Sequence, residues 1–157
     1  MAQEDMLVKL YELPNYHSGS FDYNGIKIKC AMAFEKSSVI KFAQKFSQAW
    51  ADECEIAFAN SPISCFVAYS HQKIVGFSCY NTTAPGFFGP TGVSENYRGK
   101  GIGKALLLEA LYALKYAGHA YAFIGRAGSF QFYQNAVGAT IIEGSNPGIY
   151  KDLIRHY

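Results

Sequence analysis

Val93-Ser94-Glu95-Asn96-Tyr97-Arg98-Gly99-Lys100-Gly101-Ile102-Gly103-Lys104 is the stretch on which the reading of this chain turns. A run of strand residues ends at Val93, a glycine-rich loop turns, and a helix begins near Gly101. The glycines let the loop adopt positive φ and let a ligand approach the main chain closely. A helix start leaves unpaired N–H groups and a partial positive charge, so phosphate oxygens are the natural guest. Arg98, Lys100 and Lys104 add charge, and on physics alone this is an anion site for a phosphorylated cofactor. Two better-known glycine loops do not fit. The mononucleotide loop G-x-x-x-x-G-K-[ST] fails because Ala105 follows Gly103-Lys104 and Arg98 stands five before Gly103. The dinucleotide pattern G-x-G-x-x-G fails from Gly99, where Lys104 takes the last position, and from Gly101, where Leu106 does.

Outward from this loop, Ile102, Ala105, Leu106, Leu108, Ala110, Leu111, Ala113 and Leu114 supply a wide apolar helix face, and Gly118 is its expected stop. On the other side, Phe87-Phe88-Gly89-Pro90-Thr91-Gly92-Val93 mixes strand formers with glycines and a proline. That mixture suggests a bulge, or a place where something else lies against the backbone. Residues 65–69 and 74–80 read as an antiparallel hairpin around Ser70-His71-Gln72-Lys73. The strict alternation at 26–31 predicts a strand with one buried face, and 6–13 a further short strand. Val39, Ile40, Phe42, Ala43, Phe46 and Trp50 recur at helical intervals, with Ser37 or Ser38 as cap, and a second helix is expected from about 52 to 59. After Gly118 the pattern predicts a buried strand at 120–125, a short helix at 129–136, and two strands at 140–143 and 149–154. Interleaved strands and helices make an α/β domain.

The 157 residues suit one domain. Half of them are hydrophobic and only 17% charged, which excludes a disordered chain. A net charge of +2 gives no general attraction to polyanions, so nucleic acid is not an expected partner. No apolar run approaches the ~18 residues of a membrane span, and the first ten residues lack a signal-peptide core. A soluble, cytoplasmic protein with no membrane partner is the expectation. Cys30, Cys54, Cys65 and Cys79 form no C-x-x-C pair and H-E-x-x-H is absent, so no metal is expected and the thiols are read as reduced. The 25 aromatic residues exceed what turns and solvated faces need, and some should line a pocket or an interface.

Arg98-x-x-Gly101-x-Gly103 resembles the R/Q-x-x-G-x-G/A signature of the GNAT superfamily, the acyl-CoA-dependent N-acyltransferases. The flanks resemble it too: a strand ending in Val93, a Leu/Ala-rich helix, a buried strand, then Phe132-Tyr133 five residues before Gly138-Ala139. The order of elements from 26 to 154 is similar to that family's. The resemblance implies a single-domain α/β fold over 1–157, with a mixed, mostly antiparallel sheet flanked by helices and splayed central strands; residues 1–24 would be an N-terminal extension. It implies an acetyl-CoA-dependent N-acetyltransferase in which the main chain of Thr91, Gly92 and Val93 pairs with the pantetheine arm. Arg98, Gly99, Lys100, Gly101, Ile102, Gly103 and Lys104 would hold the pyrophosphate. The acceptor would be a primary amine of a small molecule that attacks the thioester directly, with Tyr133 at the position of the general acid.

Two departures stand out. Many members carry an acidic residue on the strand before the loop as base, and 87–93 has none. Glu55 is a conceivable substitute, though a solvated helix face explains it, and His119 reads as a helix-end residue. An Asn seven residues before the helix Tyr often steadies pantetheine; here that position is Arg126, a candidate for a CoA phosphate or an anionic substrate. Tyr16, Phe21, Tyr23, Phe34 and Trp50 are candidates for an acceptor wall or plain core. The missing strand carboxylate keeps a non-catalytic acyl-CoA-binding sensor as the alternative. Exposed aromatic strands near either terminus are candidates for pairing in a homodimer.

Overall fold

A computed structural model describes residues 3–154. In chain order its elements are β1 (Met6–Lys9), β2 (Asp22–Tyr23), β3 (Ile26–Cys30), α1 (Lys36–Gln44), α2 (Gln48–Ala59), β4 (Cys65–Ser70), β5 (Lys73–Tyr80), β6 (Phe87–Val93), α3 (Ile102–Tyr116), β7 (Tyr121–Ile124), α4 (Phe130–Val137) and β8 (Thr140–Ile141). The eight strands form one sheet in the order β2-β3-β4-β5-β6-β7-β1-β8. All neighbours are antiparallel except β6 and β7, which run parallel. The β4–β5 hairpin turns through His71 and Gln72, both at positive φ (49° and 64°), the backbone that matches the twist of the flanking strands.

Alternation along the strands divides the core between the two faces of the sheet. Cys65, Val67, Phe77 and Cys79 point to α1 and α2, where they meet Val39, Phe42, Ala51, Cys54 and Ala57. Ile26, Ile28, Ala68 and Val75 point the other way, against Ile102, Ala105 and Leu106 of α3. Further along the same face, Met6, Val8, Phe88, Ala122 and Ile124 pack on α3 and on Tyr133, Ala136 and Val137 of α4. Leu106, Leu107, Leu111 and Leu114 are all fully buried, each contributing roughly 1.5–3 kcal/mol by removal from water.

β1 lies between β7 and β8, with Met6 opposite both Ile124 and Ile141, whereas β2 lies at the far edge of the sheet. The connection therefore crosses the molecule as a strap running beside α3 towards its N-terminus. Pro14 accepts the Tyr112 hydroxyl at 2.7 Å. Buried Glu109 accepts Tyr16 Oη at 2.8 Å, Ser18 Oγ at 2.7 Å and Gly19 N–H at 2.9 Å. At the strap's end the Phe21 ring reaches the neighbourhood of Gly101.

Three local expectations differ from the structure. The apolar stripe through Phe46 and Trp50 spans two helices, because the chain breaks at Lys45 and restarts at Ser47, whose hydroxyl accepts the Trp50 N–H at 3.1 Å. α1 is led in by a short 3-10 turn at Ala33–Glu35 instead of a serine cap. Residues 149–154 form no strand: Gly148–Tyr150 is a 3-10 turn and Asp152 sits at φ 62°. The Tyr150 ring there stacks on the Arg126 guanidinium, 3.9 Å from its centroid, which draws the chain away from the sheet edge.

Candidate functional site

Pairing between β6 and β7 stops after two registers, Phe87 with Phe123 and Phe88 with Ile124. Beyond Phe88, β6 continues alone on that side while staying bonded to β5 through Thr91, Gly92 and Val93. The sheet thus opens into a fork whose β6 arm is 89–93 and whose β7 arm continues into Gly125 and Arg126. Glycine and proline at 89–92 fit this arm, since a strand facing a gap has no ladder to complete on that side. Gly89 has φ 116°, and nothing lies within 4 Å of where its Cβ would be. Gly92 is needed for a different reason: a Cβ there would come within 2.8 Å of the Phe46 ring.

The glycine-rich loop joins the end of this arm to α3. Gly99 and Gly101 both have positive φ (76° and 82°), and no side chain caps the helix. The N–H groups of Ile102, Gly103 and Lys104 have no intrahelical partner and lie where the helix dipole is positive. Val93, Arg98, Gly99, Gly101, Lys104 and Phe132 line a cavity of about 290 Å³ over this helix start. A Cβ at Gly99 would meet nothing within 4 Å and one at Gly103 only Val93 at 3.9 Å, so the glycines leave open a cradle for an anion. Arg98 folds back to donate from Nε to the Val93 carbonyl at 3.1 Å, which braces the loop. Lys100 does not line the cavity, and Thr91 turns its hydroxyl to the Phe77 carbonyl at 3.0 Å.

Phe132, on α4, closes the other wall and places the next residue at the fork. Tyr133 is 9% exposed, and its ring meets Phe88, the last paired residue of β6, edge to face at 6.3 Å. Burial pushes the Tyr133 phenol up to about 12, so it stays protonated and able to donate throughout the neutral range. α4 is held by Ser129 at its start and by Gly138, at φ 66°, at its end.

The remaining sequence candidates lie outside the glycine-loop cavity. Glu55 is exposed and pairs with Lys36 at 3.8 Å. His119 packs near Gly86. Arg126 faces Tyr150 and does not line the glycine-loop cavity. Of the aromatic candidates, Trp50 stacks on Phe46 at 5.4 Å under the α1–α2 corner, Tyr16 and Phe21 belong to the strap, and Phe34 is exposed. Sequence reasoning passed over Glu53, which takes a 2.7 Å hydrogen bond from Thr83 beside the fork; between Asp52 and Glu55 it looks like part of a solvated face. A larger cavity of about 830 Å³ lies at the C-terminal end of α3, lined by residues such as Asn60, Tyr80, Asn81 and Ala117 and by no charged side chain. Among the described residues no group of three His, Cys, Asp or Glu side chains is placed to hold a metal, and no helix is long and apolar enough to cross a membrane.

A family model described as the acetyltransferase (GNAT) family matches residues 32–138, about two thirds of the chain. No curated protein matches the chain in sequence. Among solved structures, a GCN5-related N-acetyltransferase from Sphaerobacter thermophilus aligns with TM-score 0.66 at 19% identity, over 90% of this chain and 50% of that one. A GNAT family acetyltransferase from Brucella melitensis, in complex with acetyl-CoA, aligns with TM-score 0.57 at 18% identity, over 72% of this chain and 82% of that one. One from Colwellia psychrerythraea aligns with TM-score 0.63 at 16% identity, over 90% of this chain and 53% of that one. The chain spans about half the length of the Sphaerobacter and Colwellia proteins; at these identities the likeness is one of fold.

Proposed function

The chain belongs to the GNAT acetyltransferase family, and from that premise we propose that it moves the acetyl group of acetyl-CoA to a primary amine of a small molecule by direct attack. The observation that carries this reading is the uncapped N-terminus of α3 beneath its glycine loop, opening beside a fork in the sheet where a buried tyrosine waits. The amides of Ile102, Gly103 and Lys104 and the Lys104 charge suit a pyrophosphate. The β6 arm, with Thr91, Gly92 and Val93, suits an extended amide-bearing chain laid alongside it as a strand would be. Acetyl-CoA supplies an activated acetyl thioester.

Tyr133 then acts at the fork as the proton donor to the leaving sulfur. A phenol near 12 is a weak acid, but it is fully protonated at neutral pH and so has a proton to give as the sulfur departs, and its burial keeps water from competing. General acid catalysis is worth about 10²–10⁴ in rate, so Tyr133→Phe is expected to lower kcat by about that factor with acetyl-CoA affinity nearly unchanged. The assay is release of CoA thiol across a panel of amines, with affinity measured separately by calorimetry. Unchanged turnover removes Tyr133 from the mechanism. Acetyl-CoA binding with no turnover on any amine favours the sensor reading, to which the absence of a carboxylate on β6 points.

A further inference from the structure

The fork has a second pair of walls, on the face covered by α1 and α2. On the β6 side, Thr82 donates to the carbonyl of Gly89, the first residue past the last β6–β7 pair, at 2.9 Å. Its neighbour Thr83 donates to Glu53 Oε1 at 2.7 Å, so the Glu53 carboxylate is held at the lip of the fork, one helical turn after Trp50. On the β7 side, Gly125 directly follows the last paired residue, Ile124, and the Tyr150 hydroxyl lies against it. Arg126 comes next, its guanidinium stacked on the Tyr150 ring at 3.9 Å.

This side is built with care. Arg126 has φ 45°, a costly backbone for a residue with a side chain. Its N–H is fixed by buried Asp5, which accepts it at 2.9 Å, and Asp5 is itself held by Ser145 Oγ at 2.8 Å. The two walls sense each other: burial pushes the Tyr150 phenol up, the charges of Asp5 and Glu53 push it further, and Arg126 opposes them. Burial also pushes the Glu53 carboxyl up, only partly offset by Thr83.

Among the described residues neither Glu53 nor Arg126 has an ion-pair partner within 4 Å, and they do not pair with each other. A half-buried carboxylate beside one arm of the fork and a half-buried guanidinium on the other, neither in an ion pair among the described residues, match a small molecule that carries both charges. We propose that this mouth is the acceptor site, with Glu53 receiving a primary ammonium and one of its protons and Arg126 receiving an anionic group of the same molecule. The acceptor class is then an amino acid, or another small amine bearing a carboxylate or a phosphate.

The inference rests on the acetyl-transfer reading. Glu53 takes one proton from the ammonium, which frees the nitrogen lone pair to form the C–N bond to the acetyl carbon as the C–S bond breaks. The sulfur takes the Tyr133 proton, the nitrogen's second proton restores the phenol, and the proton on Glu53 passes to water. One ammonium and one thioester thus yield one amide, one thiol and one released proton.

The test runs on the whole chain in two parts. Without acetyl-CoA, thermal unfolding is followed with the common amino acids singly, their primary amides, and phosphoethanolamine. At least one amino acid or phosphoethanolamine is expected to raise Tm while the matched neutral-tailed amine does not, and which of the two does so separates carboxylate from phosphate. With acetyl-CoA, that ligand is expected to be acetylated with kcat/KM about 10- to 100-fold above its amide or decarboxylated counterpart, the value of a charge-assisted bond. Arg126→Gln is expected to lower kcat/KM on the anionic-tailed ligand about 10- to 100-fold more than on its neutral-tailed counterpart, erasing the preference; Arg126→Lys, which keeps the charge, is expected to retain part of it. Glu53→Gln is expected to lower kcat on every amine while raising Tm, since it removes a carboxylate that burial disfavours.

Equal use of acid and amide, equal loss on both in Arg126→Gln, or acetyl-CoA binding with none of these compounds turned over overturns the proposal. A chain that binds no acetyl-CoA and shifts with no amine fails at the earlier step, the acetyl-transfer reading itself.

Discussion

Replacing Glu109 by alanine should loosen the strap without touching the fork. Glu109 is 3% exposed in the middle of α3 and accepts three hydrogen bonds, at 2.7, 2.8 and 2.9 Å, all from residues 16–19. Bonds to a charged acceptor contribute about 1.5–3 kcal/mol each. Two terms offset that gross figure: Ser18 and Gly19 are exposed and regain water, and removing the carboxylate relieves its own desolvation, several kcal/mol for a buried ion. The net loss is then about 2–4 kcal/mol, which lowers Tm by roughly 5–15 °C for a chain of this size. Chemical denaturation gives the first number and calorimetry the second. Amide exchange should speed up over 15–21 while the β4–β5 hairpin, whose two strands are each paired on both sides, keeps its protection. Glu109→Gln should lose nearly as much, because a carboxamide offers one acceptor oxygen and turns two donors towards donors. Stability within about 0.5 kcal/mol of the parent in Glu109→Ala, the scatter of ordinary surface substitutions, with unchanged exchange at 15–21, refutes the reasoning.

Two further outcomes follow from the site. Below pH 10 the Tyr133 phenol is protonated in folded and unfolded chains alike; between about 10 and about 12 only the unfolded chain ionises it, so stability falls across that window. The fall is roughly 2–3 kcal/mol for a shift of this size, and alkaline denaturation of Tyr133→Phe against the parent isolates it; identical curves contradict the burial argument. Gly101→Ala should cost about 1–2 kcal/mol of stability, because alanine at φ 82° is strained although its methyl would meet only Phe21 at 3.9 Å. Acetyl-CoA affinity should fall with it as the loop relaxes and the helix amides lose their aim. Parent-like stability and affinity would show that the left-handed turn is not required.

What could be read from the residues was whatever rests on short-range physics. The alternation at Ile26–Cys30, the apolar face of α3, the tight turn at His71-Gln72 and the glycine that ends α4 each declare themselves within a few positions. The break at Lys45–Ser47 was hidden because the apolar interval happens to continue in phase across two helices, although Ser47 three residues before Trp50 carries the cap signal. The place of β1 depends on partners more than 110 residues away, and four residues carry no address for them. The 149–154 segment has strand composition, but Tyr150 is drawn to Arg126 instead. Within the candidate site, the glycine loop and Tyr133 could be proposed from the sequence because they form a local pattern. Glu109 left a weak trace, an acidic residue alone on an otherwise apolar helix face. Glu53 left none, since only the tertiary arrangement of Thr83, Gly125 and Tyr150 distinguishes it from Asp52 and Glu55.

Every proposed step requires that the uncapped start of α3 hold acetyl-CoA. Titration calorimetry of the full chain with acetyl-CoA addresses that with no assumption about the acceptor. Saturable one-to-one binding is expected, with a stabilisation of about 2.7 kcal/mol at a hundredfold excess over Kd and a marked loss of affinity in Gly101→Ala. Absence of binding, or binding indifferent to Gly101, would contradict this expectation.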